Sequence, residues 1–100
     1  MPFAVQIVPS ALQELKGIHV FYRRQIAAAI EEQLTHQPTV ETKHRKRLEN
    51  VEPAFEYEPP LWELRVGDFR VFYDVNEPNR AVTIRAVREK PPHATTEQVL

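Results

Sequence analysis

Residues 62–75, WELRVGDFRVFYDV, constrain this chain more than any other stretch, because they read as two β-strands joined by a two-residue turn. Trp62, Leu64 and Val66 alternate with Glu63 and Arg65, and Phe69, Val71, Tyr73 and Val75 alternate with Arg70, Phe72 and Asp74. That period of two belongs to half-buried strands. Gly67-Asp68 suits a type II′ turn, in which the first turn residue takes positive φ, and the register follows from it. Val66 then faces Phe69, Leu64 faces Val71 and Trp62 faces Tyr73 on an apolar side. On the other side Glu63 faces Phe72 and Arg65 faces Arg70. Directly opposed like charges weaken a sheet, so this pair calls for a screening carboxylate or for an anion on that face.

The rest of the chain supplies partners for the hairpin. Phe3, Val5, Ile7 and Val8 form a short apolar run between Pro2 and Pro9 and read as a first strand. Ser10 and Gln13 carry a capping-box spacing, which predicts a short helix with Leu12 and Leu15 inward that Gly17 can end. Tyr22, Ile26, Ile30 and Leu34 recur every four residues as the core stripe of a second helix, closed by Pro38. From Thr39 to Pro60 periodicity is lost among prolines and glutamates, which predicts a long irregular connection. Asn76–Asn79 is a turn, and Ala81–Val87 alternates again, with Val82, Ile84 and Ala86 on one face. If Val75 pairs with Arg80 across that turn, Tyr73 meets Val82, Val71 meets Ile84 and Arg70 meets Arg85, so Arg65, Arg70 and Arg85 line up across three strands. Pro91-Pro92 ends the last strand, and residues 93–100 have room for one helical turn. The expected order is β-α-α-β-β-β: an α+β fold, a small antiparallel sheet with two N-terminal helices packed on one face, the arginine-bearing face left uncovered, and residues 1–100 forming a single domain.

Composition narrows the chemistry. With 100 residues there is no room for a separate cofactor domain, and without cysteine there is neither a disulfide nor a thiolate site. His19, His36, His44 and His93 show no metal-ligand spacing, so no metal and no cofactor is expected. No stretch approaches a membrane span and no leader pattern is visible, which predicts a cytoplasmic protein. Thirteen basic and fourteen acidic residues nearly cancel, so total charge selects no partner. Distribution says more, since Lys43-His44-Arg45-Lys46-Arg47 is the densest basic run.

The element order, the hairpin WELRVGDFRVFYDV, the strand VTIRAVREK and the basic segment ending in Lys46-Arg47-Leu48 together resemble the RelE/ParE superfamily of bacterial toxins from type II toxin-antitoxin systems. The likeness runs over nearly the whole chain. It implies a RelE-like fold, a cognate antitoxin protein as partner, and one of three roles. RelE-type members are mRNA interferases, endoribonucleases that cut mRNA in the ribosomal A site and inhibit translation. They work without metal, by driving the 2′-hydroxyl onto its own phosphate. ParE-type members poison DNA gyrase without nuclease chemistry, and a degenerate toxin fold would survive as a non-catalytic binding module.

On the nuclease reading the resemblance also suggests the site. Arg70 matches the arginine that opens the family's third strand, and Arg65 matches a basic position on the second. Lys90 falls near the basic residue that ends the last strand, and His93 lies where a catalytic Tyr or His is expected. Arg65 and Arg70 would clamp the phosphate with fixed donors. Glu63 is either the base or the counter-charge of the pair, and His93 is of the residue type most often used for acid-base work. Lys43, Arg45, Lys46, Arg47 and Arg85 would contact RNA, and Phe72, pointing outward, would stack a base. The chain departs from the RelE pattern in its acidic Glu63, its lack of a tail Tyr, its acidic segment 49–60 and its low net charge.

Overall fold

The computed structural model describes residues 1–100. In chain order the elements are β1 (Ala4–Ile7), α1 (Pro9–Lys16), α2 (Val20–Leu34), β2 (Arg45–Leu48), β3 (Leu61–Val66), β4 (Phe69–Asn76), β5 (Ala81–Glu89) and α3 (Thr96–Val99). The strands form one sheet in the order β1-β5-β4-β3-β2. The class is the α+β one expected, but the sheet is mixed: β1 runs parallel to β5, and the other neighbours are antiparallel. No helix is long and apolar enough to cross a membrane.

Local chemistry sets the helix ends. Pro9 takes the first helical position of α1, where its missing N–H costs nothing, so the helix starts two residues before the Ser10-Gln13 spacing suggests and has Val8 as an uncapped N-cap. His19 caps α2, its Nδ1 accepting the Phe21 N–H at 3.1 Å. Ile26 and Leu34 are fully buried in one cluster with Trp62, Leu64, Val71 and Tyr73; burying each such side chain contributes about 2 kcal/mol. Tyr22, expected in that stripe, is half-exposed with its ring 5.4 Å from that of Phe69.

The β3–β4 hairpin has the expected register, from Trp62 opposite Tyr73 to Arg65 opposite Arg70. Gly67 holds φ +57°, which a side chain at that position would resist. The next register differs. Asn76 pairs with Ala81 and Tyr73 with Ile84, and a bulge between Phe72 and Tyr73 then sets Phe72 opposite Ala86 and Arg70 opposite Arg88. Arg85 is the extra residue. The bulge turns Ala86 onto the arginine-bearing face and returns Val87 to the helix-covered core.

Within the stretch expected to be irregular, β2 pairs with β3, placing Lys46 opposite Glu63 and Leu48 opposite Leu61. Its first residue, Arg45, turns inward and is buried. The guanidinium donates to the Val40 carbonyl at 2.9 Å and to Gln33 at its carbonyl (2.8 Å) and Oε1 (2.9 Å), fastening the edge strand to the end of α2. Beside it the Tyr73 hydroxyl donates to the Pro38 carbonyl at 2.6 Å.

The second sheet face, expected to be bare, is covered. Leu48, Leu61, Phe72 and Ala86 form a second buried cluster, packed by Val51, Phe55 and Tyr57 from the 49–60 connection and by Val99 and Leu100 from the tail. Apolar residues at alternate positions of that connection supply the cover, while its glutamates stay outside.

Candidate functional site

Pairing across β3, β4 and β5 puts Arg65, Arg70 and Arg88 in one row. Arg88 takes the place foreseen for Arg85, because the bulge advances β5 beyond the simple alternation. Arg65 is exposed, and its Nε lies 3.6 Å from Glu63 Oε1. Arg70 bends back over the turn, one terminal nitrogen donating to the Gly67 and Phe69 carbonyls at 2.8 Å each, and its Nε has no partner. Arg88 Nε stands 2.7 Å from Glu14 Oε2, close enough for an ion pair but bent away from a linear hydrogen bond. Its guanidinium also lies 5.8 Å from the centre of the Phe55 ring. Beside Arg88 a cleft of about 480 Å³ opens between α1 and residues 54–56, lined by Ser10, Glu14, Phe55, Glu56, Arg85 and Arg88.

Glu63 is fully buried on this face. Thr96 of α3 donates its hydroxyl to Glu63 Oε2 at 2.9 Å, whereas Oε1 has no hydrogen-bond partner. The exposed Lys46 stands opposite Glu63 across the β2–β3 pair. Lys90 follows β5, its backbone N–H donating to the Asp68 carbonyl at 2.7 Å, which brings the end of that strand to the hairpin turn. His93 is exposed in the turn closed by the Ala94 N–H on the Pro91 carbonyl.

The structure therefore gathers Glu63, Arg65, Arg70 and Lys46 on one face. Other expected contacts it spends elsewhere. Arg85 pairs with the buried Asp74, Nε to Oδ2 at 2.8 Å, so its charge is neutralised. Phe72 is fully buried, 6.1 Å from the Phe55 ring, and presents no surface to a base. Arg45 is consumed by the α2 anchor, whereas Lys43 and Arg47 are exposed, the latter paired with Glu49 at 2.8 Å. Arg88 and Thr96 were missed. The apolar spacing Val82, Ile84, Val87 breaks period two by one residue, the signature of a bulge that would have pointed to Arg88.

Comparison with solved structures identifies the class of fold. The chain is similar to RelE in the RelE-RelB complex from Pyrococcus horikoshii, with TM-score 0.71, 22% identity, and coverage of 92% of this chain and 99% of that one. The toxin-antitoxin complex RelBE2 from Mycobacterium tuberculosis gives TM-score 0.72 at 18% identity, covering 90% and 100%. The isolated E. coli RelE toxin gives 0.63 at 19%, covering 89% and 85%. The architecture is thus that of the RelE-like toxins. No curated protein matches the sequence significantly. Residues 5–90 match the family described as ParE toxin of type II toxin-antitoxin system, parDE, and the chain belongs to that family. It is the toxin component of a type II toxin-antitoxin system.

Proposed function

We propose that this toxin acts in the cytoplasm as a ribosome-dependent mRNA endoribonuclease, held in check by a cognate antitoxin protein. The observation that carries the reading is the row Arg65, Arg70, Arg88 on adjacent strands. Aligned like charges are unfavourable in an empty sheet face and favourable around a phosphate. In this reading Arg65 and Arg70 hold the non-bridging oxygens of the scissile phosphate and stabilise the charge that grows on them. Glu63 takes the proton of the 2′-hydroxyl as O2′ bonds to phosphorus. The P–O5′ bond breaks, and His93 gives its proton to the departing 5′-oxygen, leaving a 2′,3′-cyclic phosphate and a 5′-hydroxyl. Lys46, Lys43 and Arg47 contact the RNA backbone, and Lys90 adds charge near the turn.

The test is induction of the chain in bacteria with mapping of mRNA 5′-ends, beside Arg70→Ala. Codon-phased cuts lost in the variant support the nuclease. Intact mRNA with growth arrest and DNA-damage signalling would instead support a gyrase poison of the ParE kind, a second reading favoured by the match to the parDE toxin family over residues 5–90.

A further inference from the structure

Glu63 is a fully buried carboxylate whose Oε1 makes no hydrogen bond and meets the Arg65 Nε at 3.6 Å. What seals it is slight. Helix α3 is a single turn, held by its own capping box between Thr95 and Gln98, and none of its residues is buried. It reaches the sheet through the Thr96 hydroxyl on Glu63 and through Val99 and Leu100 lying on the Leu48, Leu61, Phe72 and Ala86 cluster, and a long 3.5 Å bond from the Ala54 N–H to the Leu100 carbonyl ties it to the 49–60 connection. Glu63 beneath is fully buried, while the helix that covers it has no buried residue of its own. Segments with few buried contacts open far below the cost of global unfolding.

We propose that residues 95–100 are a self-inhibitory strap that closes the arginine face and opens to admit RNA. The proposal rests on the nuclease reading and adds regulation to it. With the strap seated, Thr96 occupies Glu63 Oε2, and Glu63 cannot meet a 2′-hydroxyl. With the strap lifted, Glu63, Arg65, Arg70 and Lys46 form one solvated floor of a base and three cations. Phe55 and Tyr57, from the other covering segment, keep Phe72 shielded when the tail leaves, so opening does not need the second cluster to come apart. The strap begins beyond the turn that the Ala94 N–H closes on the Pro91 carbonyl, so His93 stays with the end of β5 when residues 95–100 lift.

The test compares the full chain with Val99→Asp/Leu100→Asp, which charges the underside of the strap, and with the same double variant carrying Glu63→Gln. Two readouts are taken: anisotropy of a labelled 2′-O-methyl RNA, which binds but cannot be cut, and cleavage of ribosome-bound mRNA. If the strap is shut nine-tenths of the time, release strengthens RNA binding by about tenfold, raises cleavage similarly, and Glu63→Gln removes the cleavage but not the binding. Thr96→Val, which exchanges the hydroxyl for a methyl of similar size and so removes the bond to Glu63, must move binding the same way and covers the case in which the double variant fails to fold. Binding unchanged in variants whose tail amides exchange freely with deuterium overturns the strap. Tighter binding with no cleavage in any variant supports the strap and sinks the nuclease reading instead.

Discussion

Asp74 Oδ2 accepts two hydrogen bonds of 2.8 Å, one from Arg85 Nε on the neighbouring strand and one from the Glu58 backbone N–H. One carboxylate therefore fixes the bulged residue of β5 and ties the 49–60 connection onto the sheet face it covers. Asp74 is buried at 3% exposure, so its charge depends on Arg85. Arg85→Ala is expected to destabilise the protein by about 3 kcal/mol, the scale for stranding one partner of a buried ion pair. Urea denaturation at neutral pH measures it, and a loss below ~1 kcal/mol would mean that water compensates Asp74.

The same register separates two arginines that the sequence makes look alike. Arg88 lies in the row with Arg65 and Arg70, whereas Arg85 is spent on Asp74. For single-stranded RNA, Arg88→Gln should flatten the plot of log affinity against log salt by about 0.7, one phosphate contact. Arg85→Gln, tested where it remains folded, should leave the slope alone. Equal slopes for the two variants would remove Arg88 from the phosphate row.

How far the sequence could be read shows in these two residues. The β3–β4 register was legible because a two-residue turn with glycine first leaves little freedom, and alternation fixes the faces on either side. The β4–β5 register was not, because a four-residue loop tolerates a shift and a bulge adds a residue that alternation ignores. β2 was hidden for another reason: its inward position is an arginine whose head is satisfied by Gln33 and Val40, so a buried position reads as charge. The covered face escaped notice because the residues that cover it, Val51, Phe55, Tyr57, Val99 and Leu100, lie on segments with too little regular structure to show a period. In the sequence Phe72 therefore has the pattern of a surface aromatic, although it is fully buried. Of the site, the residues on the hairpin itself were legible, while Arg88 and Thr96 depended on the bulge and on the fold of the tail.

Arg45 gives a sharper test of structure against charge. Its guanidinium meets Val40 and Gln33 and leaves little for RNA. Arg45→Lys keeps the charge but loses the planar fork, so unfolding should become easier by about 2 kcal/mol, with the salt slope of RNA binding unchanged. Lys46→Ala should do the reverse, costing little stability and lowering the slope. A thermal melt and a salt titration on each variant decide it.

Burial pushes the Tyr73 phenol well above the range in which a solvated tyrosine titrates, and the nearby Arg45 charge pulls weakly the other way. The folded protein therefore keeps this proton when the unfolded chain, with tyrosine pKa near ~10, gives it up. Fewer protons are then bound in the unfolded state, so stability falls as pH rises. The contribution is complete below about pH 10 and is lost above it, towards the folded value, by about 1.4 kcal/mol per pH unit once the unfolded tyrosine is ionised. Tyr73→Phe removes that dependence. It also deletes the 2.6 Å bond to the Pro38 carbonyl, at a cost of about 1 kcal/mol at neutral pH, more if the carbonyl is left without water. Urea midpoints for the two proteins should thus start apart at neutral pH, with the wild type ahead, and converge or cross between roughly pH 10 and 11. Parallel curves through that window would show that Tyr73 reaches solvent and titrates in the folded state, and would loosen the clamp it forms beside Arg45.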